Sequence, residues 1–487
     1  MRAESLRTGL QLALLTVLLL SASPGTLVGA MDSRTEEALL GIEAVLDMAE
    51  FSKDLWPAWD ISETPFVVRC PDSTCYLINH PRPPVHFERV REESSLRVAV
   101  YRADTGDIPS GDDCFIEGIS TAAVDLWGLT AELVPRAFEA SFRAHGAELC
   151  QGSMQPIELL SGYPMDAWNL VLSDIECQLL HRAALAPADS LGVCVREFTS
   201  VRRHRRLRMG GRYAEFERRI EFTEGIPAYL AERCRGEAES YLGGRFARRL
   251  KDALGEAGAL ERSFPESPDL DWYRGERFRW TGAVLCGVMD RFDPDWKRTV
   301  SADCVDPFEL MCVEVRGKTP SAKTVLARFG YEQLVASMTT TIERSKSDAE
   351  RLFESIARSE SPTFSIGTHL LSTGEISFDP SRIEKVDAHR EVHTGILKIE
   401  YSGGTYLHVL GVPAAVVLGD DEFDLRKVML VMPEEYTVML DGEELETKEG
   451  VYEFTRSLSV VAEGISLEAL AGMVMVGARG ISFILHR

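Results

Sequence analysis

LTAELVPRAFEASFRAHGAEL (residues 129–149) and EFERRIEFTEGIPAYLAERC (residues 215–234) carry the strongest indications of how this chain folds. Apolar residues recur in both at spacings of three and four, which is typical of amphipathic helices. Phe138 and Phe142 in the first stretch are four residues apart and therefore share one face of a helix. The two stretches predict a mainly helical domain.

The segment FEASF at residues 138–142 has the spacing of the zinc-hydrolase motif His-Glu-x-x-His but lacks its imidazoles. In that motif two histidines four residues apart bind one metal ion, and the glutamate polarises its water. Phe138 and Phe142 stand at the two imidazole positions, and a phenyl ring has no lone pair for Zn²⁺. The motif therefore indicates an enzyme-like helix whose metal site has been lost. Chance occurrence on an ordinary amphipathic helix is the alternative.

The second stretch carries three carboxylates on one helical face. They are Glu217, Glu221 and Glu224, at positions i, i+4 and i+7. Like charges so placed oppose helix formation unless a cation lies among them. Arg202 and Arg205, in VRRHRRLRMGGR at residues 201–212, could supply that cation, and so could a metal. These five residues are the candidate binding residues. A solvated face answered by Arg218 and Arg219 is the alternative.

The N-terminus has the pattern of a secretory signal peptide. Arg2 and Arg7 precede the apolar run LQLALLTVLLL at residues 10–20, and small residues follow at Gly29 and Ala30. About 20 apolar residues are needed to span a bilayer, so this run is too short for an uncleaved anchor. We expect cleavage of residues 1–30 and an exported protein, periplasmic or extracellular, that does not contact the membrane afterwards.

Composition favours an acidic protein and excludes polyanionic partners. The 487 residues include 53 Lys and Arg against 76 Asp and Glu, a net charge of −23. Such a surface repels phosphates, so nucleic acid is not an expected partner. Ten cysteines all lie before residue 320. Export allows a disulfide between Cys70 and Cys75, while buried free thiols are the alternative.

Changes in the spacing of apolar residues divide the rest of the chain into three regions. Residues 31–115 mix a helix with extended segments, and residues 116–357 have helical spacing. From residue 358 to residue 487 apolar and polar residues alternate, with turns at Gly-Gly and Asp-Gly. The expected fold class is α+β, in which a mixed segment packs on a mainly helical domain that is followed by an antiparallel β-sandwich-like domain.

The order of several segments produces a resemblance to a family. The segments are LWPAWDISETPFVV, CYLINHPRPPVHF, FIEGISTAAVDL, FEASF, SDIECQLLHRAAL, the arginine-rich stretch, EFTEGIPAY and RWTGAVLCGVMDRFDPDWK. This succession resembles a group of exported bacterial zincin-like metallopeptidases, in which a His-Glu-x-x-His helix precedes a helix ending in Glu-Gly-x-x-x-Tyr. The similarity covers about residues 55–315.

The resemblance implies roles for individual residues. It puts the metal-binding imidazoles at Phe138 and Phe142, the general base at Glu139, here vestigial, and the third ligand at Glu221 or Glu224. Because two of three ligands are missing, no cofactor is expected. A zinc site rebuilt with other histidines is the alternative, and the candidates are His145, His181 and His204.

Three functions follow from this interpretation. The leading one is a non-catalytic pseudopeptidase that binds a peptide or an envelope protein. The first alternative is an active zinc metallopeptidase with an unconventional ligand set. The second alternative is a structural surface protein.

Overall fold

A computed structural model describes most of residues 41–485. The longer stretches outside the described residues are 1–40, 105–112, 126–132, 150–162 and 242–263, and several shorter ones interrupt the remainder. The signal peptide expected at residues 1–30 lies outside the described part of the chain. The chain is a mixed helix-and-sheet protein whose C-terminal part is built of antiparallel sheets.

The N-terminal part combines short helices with a six-stranded sheet. Its elements are α1 (Ala49–Leu55), a 3₁₀ turn (Ile61–Glu63), β1 (Phe66–Arg69), β2 (Thr74–Ile78), β3 (Glu88–Glu93), β4 (Val98–Asp104), β5 (Asp113–Ile116) and β6 (Ile119–Asp125). The strand order is β3-β4-β2-β1-β6-β5. Among these described strands, β1 and β6 run parallel, with Phe66 opposite Ala122, and the other neighbours are antiparallel.

Helices dominate the middle of the chain from Leu133 onward, as the apolar spacing predicts, whereas Ile119–Asp125, within the region expected to be helical from residue 116, is a strand of the N-terminal sheet. They are α2 (Leu133–Leu149), α3 (Ala167–Leu185), α4 (Ala188–Met209), α5 (Gly211–Ile220), α6 (Ile226–Tyr241), α7 (Leu270–Arg274), α8 (Glu276–Met289), α9 (Trp296–Asp303), α10 (Pro307–Glu314), α11 (Ala322–Arg328) and α12 (Tyr331–Ala357). Several of these helices are capped at the N-terminus by an acidic or hydroxyl side chain. The Asp166 carboxylate accepts a hydrogen bond from the backbone N–H of Asn169 at 3.1 Å. This bond satisfies an N-terminal donor of α3. Among the helices described, none combines the length and apolar character that crossing a bilayer requires.

One apolar core joins the N-terminal sheet to the helices. Trp56, Trp59 and Val68 from the N-terminal part are buried in the same cluster as Ile175 of α3 and Leu230 of α6. The N-terminal segment therefore packs directly on the helical domain.

The C-terminal part consists of strands arranged in two sheets. The strands are β7 (Thr363–Gly367), β8 (Thr373–Phe378), β9 (Ile383–Lys385), β10 (Arg390–His393), β11 (Ile396–Tyr401), β12 (Thr405–Leu410), β13 (Ala414–Leu418), β14 (Leu425–Val431), β15 (Tyr436–Leu440), β16 (Glu443–Glu444), β17 (Gly450–Phe454), β18 (Leu458–Ala462), β19 (Ile465–Ala469), β20 (Gly472–Gly477) and β21 (Gly480–Leu485). The first sheet has the order β17-β20-β21-β7-β14-β13-β10-β9, and the second has the order β16-β15-β18-β19-β12-β11-β8. The pairing of β21 with β7 is parallel, an exception in a first sheet whose other neighbours are antiparallel.

Alternating side chains of both sheets meet in one core. Phe364 and Val428 of the first sheet share it with Leu407 and Leu467 of the second. The period-two pattern of the sequence thus has its expected cause, because successive side chains of a strand point to opposite faces.

The last turns of α12 cover the outer face of the first sheet. Phe353 and Ile356 of this helix are buried against Val392, Ala415 and Met429 of the sheet. The domain boundary expected at residue 358 therefore separates the end of α12 from the sheet on which it packs. Periodicity could not show this, because a helix has the same pattern whether it covers helices or a sheet.

Charged groups also connect the two parts. The guanidinium of Arg274 in α7 donates to both carboxylate oxygens of Glu384 in β9, at 2.8 and 3.1 Å. Ser345 of α12 donates to the same carboxylate at 3.1 Å. These bonds fix the β-rich part against the helical part.

Four cysteines of the helical core are buried free thiols: Cys177, Cys194, Cys234 and Cys286. Burial raises the pKa of the Cys177, Cys234 and Cys286 thiols, so the reactive thiolate is disfavoured. At these four positions the structure therefore has buried free thiols, which were the alternative to disulfides.

We expect Phe353→Ala to destabilise the protein by about 3 to 5 kcal/mol, because it removes a buried ring between α12 and the sheet. The control is Arg351→Ala on the same helix, whose side chain is 76% exposed and which should change stability by less than about 0.5 kcal/mol. Denaturant midpoints measure both. Equal effects of the two substitutions would show that α12 does not cover the sheet.

Candidate functional site

A cluster of buried charges lies where α3, α4, α5 and α8 meet. We call it the buried charge network, and it consists of Glu176, Arg202, Arg205, Arg206, Glu217, Glu221, Arg277 and Asp306. Four guanidinium groups thus face four carboxylates. Isolated charges could not be buried at this depth, because the loss of hydration costs several kcal/mol for each ion.

Glu217 is the most densely paired carboxylate of the network. Arg205 donates to its two oxygens at 2.6 and 2.7 Å, the bidentate geometry that gives strong and directional pairs. Arg277 donates to it at 3.0 Å, and the Tyr163 hydroxyl donates to it as well. On its other edge, Arg205 donates to Glu176 at 2.7 Å.

Glu221 is held by a second set of partners. Arg202 donates to its carboxylate, and the Thr281 hydroxyl of α8 donates at 2.7 Å. Arg206 lies 3.4 Å from the same carboxylate and 3.2 Å from that of Asp306. The predicted cation among the carboxylates is therefore present for Glu217 and Glu221, and it is arginine.

The pairing outweighs burial in the ionisation of these groups. Burial opposes the charged form of Glu217, but the charges of Arg205 and Arg277 hold its pKa well below the usual range. For Arg202, burial acts against the cation, yet Glu221 and Glu176 raise its pKa. Burial, with the nearby Glu217 charge, raises the pKa of Tyr163 to about 12. Glu217 and Arg202 are therefore both charged at neutral pH, whereas Tyr163 is a neutral donor.

A local widening of the helix places Glu221 in this network. Residues Glu221–Gly225 form a π turn between α5 and α6, and π turns are frequent at functional sites. Pro227, two residues after the π turn, lacks the backbone N–H that a regular helix would use. The helix continues through this wider turn, although Gly225 and Pro227 are residues that commonly interrupt helices.

Gly225 permits the close approach of α8. A Cβ atom built on Gly225 would lie 2.4 Å from the Cα atom of Gly282, and one built on Gly282 would lie 2.4 Å from the carbonyl oxygen of Glu221. Only glycine at both positions lets the two helices cross so closely. This crossing brings Thr281 within hydrogen-bonding distance of Glu221.

Glu224 does not join the network, which corrects the prediction that the three carboxylates share one face. Its carboxylate, 38% exposed, accepts from Arg143 of α2 at 2.6 Å. Burial raises its pKa, Arg143 opposes that shift, and Glu139 adds to it. Arg143 also donates to Glu139 at 2.9 Å, and Arg279 donates to the other oxygen of Glu139 at 3.0 Å. One guanidinium thus bridges Glu139 and Glu224.

Phe138 and Phe142 belong to an aromatic core. The ring of Phe138 meets that of Trp59 edge-on at 5.5 Å, and Phe142 meets Trp59 at 5.2 Å and Trp56 at 5.0 Å. Both phenylalanines are at most 1% exposed. Edge-to-face pairs of this kind add stability beyond area burial.

Two further motifs meet beside this aromatic core. The Tyr229 hydroxyl donates to Asp290 at 2.5 Å, the Trp296 indole donates to the same carboxylate at 2.9 Å, and the Lys297 ammonium lies 3.4 Å away. Trp296 meets Trp56 edge-on at 5.5 Å. The hydrogen bond from Tyr229 to the Asp290 carboxylate therefore joins EFTEGIPAY to DRFDPDWK, two segments that are separate in sequence.

Of the candidate replacement histidines, His181 and His204 have different surroundings. His204 is exposed on α4, whereas His181 on α3 contacts the rings of Phe264 and Trp280. The side chain of His145 lies outside the described residues. In the ranges that the structure describes, no three His, Cys, Asp or Glu side chains are grouped as a metal site requires.

Sequence reasoning missed several partners in these clusters. Glu176 and Arg277 are buried charges on α3 and α8, and each lies next to apolar residues in sequence, where a charge needs a partner. That mismatch was the available signal. Arg143 had a further signal, because it follows Glu139 by four residues, the spacing of a helical ion pair.

Comparison with protein-family models, with curated proteins and with solved structures finds no match to this chain. The zincin-like resemblance therefore rests on the sequence motifs.

We expect Glu221→Gln to destabilise the protein by about 3 kcal/mol, because it removes the carboxylate that accepts from the buried Arg202 and leaves the buried charge network with one guanidinium in excess. Glu215→Gln in α5 is the matched control, since its carboxylate is 40% exposed and pairs with Arg218 and Arg219 at the surface.

The control should shift stability by less than about 1 kcal/mol. Denaturant midpoints of the two variants and the wild type are the measurement. A neutral Glu221→Gln variant would contradict the buried pairing.

Proposed function

We propose that the protein is an exported, zincin-like pseudopeptidase without catalytic activity, which acts by binding a peptide or an envelope protein. The observation that carries this proposal is the position of Arg143. Its guanidinium lies between Glu139 and Glu224, the carboxylates to which the resemblance assigns the roles of general base and third metal ligand.

A bound guanidinium supplies the positive charge that a metal ion would otherwise bring to the two carboxylates. It cannot activate water as zinc does, because it has no open coordination position and no acidic bound water. Glu139 is further held by Arg279. A carboxylate that accepts from two guanidinium groups is a poor general base, since both of its oxygens are occupied.

The aromatic core supports the same proposal. Phe138 and Phe142 occupy the positions of the imidazoles in the motif, and their rings pack against Trp56 and Trp59. The motif helix has core residues where a zinc enzyme has ligands. An active zinc enzyme with other ligands and a purely structural protein remain the two rival hypotheses.

Zinc content separates the proposal from the first rival. We expect the purified mature chain, incubated with Zn²⁺ and dialysed, to contain far less than one equivalent by mass spectrometry. About one equivalent would overturn the pseudopeptidase proposal, because a zinc enzyme holds its ion with three protein ligands. Pulldown with envelope peptides separates a binding protein from a structural one.

We also expect Phe138→His with Phe142→His to lower the melting temperature in metal-free buffer, because two buried aromatic rings contribute several kcal/mol. Recovery on adding Zn²⁺ would support descent from a metal site, whereas no response would remove that account. The matched control is Phe198→His with Phe308→His, another buried and contacting pair, which should lose stability and not respond to zinc.

A further inference from the structure

The arginine-rich stretch at residues 201–212 is divided between two faces of α4. Its inward arginines, Arg202, Arg205 and Arg206, belong to the buried charge network. Its outward face carries different residues, which we call the α4 basic face: Arg203, His204, Leu207 and Arg208, with Arg212 at the start of α5. The α4 residues of this face span about 140° at 100° per residue.

The α4 basic face is open to solvent. Arg203, His204, Arg208 and Arg212 are exposed. Leu207, in their midst, is 85% exposed, the highest value among the exposed large apolar side chains of the described residues. A single exposed leucine is common, but this one is surrounded by cations.

The arginines of this face contact aromatic rings, a hydroxyl and a thiol. Among the described residues, Arg203, Arg208 and Arg212 have no carboxylate oxygen within 4.0 Å. Arg208 instead stacks over the Trp168 ring at 4.3 Å and lies 3.4 Å from the Tyr331 hydroxyl. Arg203 lies beside the Cys312 thiol.

Two exposed arginines on other helices do form ion pairs with neighbouring carboxylates. Arg298 and Arg351, each more than 70% exposed, form ion pairs with an aspartate three residues away. At the border of the α4 basic face, Glu309 is 58% exposed and lies 3.9 Å from Arg206; with Arg203, it is one of the charged groups near the Cys312 thiol. The inner network has equal numbers of cations and carboxylates, so it leaves no negative charge to offset the outer face.

We propose that the α4 basic face docks an acidic peptide segment of a partner protein, with an apolar side chain of that segment covering Leu207. Charge complementarity carries the choice of partner, because uncompensated arginines on an otherwise acidic protein attract a local negative segment. Arg208 is already held by Trp168, so part of the entropy of ordering its side chain is lost before binding.

A peptide is favoured over a membrane surface or a nucleic acid. Both of these present many negative charges over a wide area, and the whole chain carries a net charge of −23. Long-range repulsion therefore opposes extended polyanions, whereas a short acidic segment meets only the local face within a screening length. The proposal does not depend on the zincin-like assignment.

The test uses the full mature chain and a fluorescein-labelled synthetic peptide of repeated Glu-Glu-Leu units, measured by fluorescence polarisation at low salt. A Lys-Lys-Leu peptide serves as the charge-reversed probe. We expect saturable binding of the acidic peptide only, weakened by added salt. Arg203→Glu with Arg208→Glu should weaken binding by at least about tenfold, and Leu207→Ser should weaken it by a smaller factor.

The control variant is Arg298→Glu with Arg351→Glu, which makes the same charge change at exposed positions and should bind as wild type does. Circular dichroism melts verify that every variant is folded. No saturable binding of the acidic peptide, or equal binding by the face variant, would overturn the proposal. Phosphatidylglycerol vesicles and an oligonucleotide are tested in the same way. If the wild type and the control variant bind either of them and the Arg203→Glu, Arg208→Glu variant does not, the proposal is overturned in favour of another polyanion.

Discussion

Ionised arginines buried against ionised glutamates hold the helical part of this protein together. Arg205 is fully buried and binds Glu217 through both carboxylate oxygens and Glu176 through its other edge. A charge at this depth is tolerable only while its partner is present, because removal of one member leaves an unsolvated ion. The pair therefore constrains where α3, α4 and α5 can lie relative to one another.

The same constraint applies to a second group of carboxylates, beside the FEASF segment of α2. Carboxylates gathered between helices need a cation, and in this chain arginines supply it at both places described above. Arg202 and Arg205 do so inside the buried charge network, and Arg143 does so between Glu139 and Glu224. The two phenylalanines of FEASF pack in the aromatic core with Trp56 and Trp59.

Periodicity predicts most of the fold. The helical middle, the alternating C-terminal strands and the need for a cation near Glu217 and Glu221 all follow from spacing and charge. Glu224 was placed wrongly, because a helical wheel assumes 100° per residue and the π turn at Glu221–Gly225 breaks that regularity. Partners such as Glu176 could not be assigned, since their proximity arises only when distant helices pack.

A double-mutant cycle measures how strongly the stability of the protein depends on the pair of Arg205 and Glu217. It uses Arg205→Met, Glu217→Gln and the double variant in denaturant unfolding. We predict a coupling energy of about 3 kcal/mol, because each single change leaves the buried charge network with one unbalanced charge and the double change restores equal numbers of cations and carboxylates. Additive effects of the two substitutions would contradict the conclusion that this buried pair holds the helical part together.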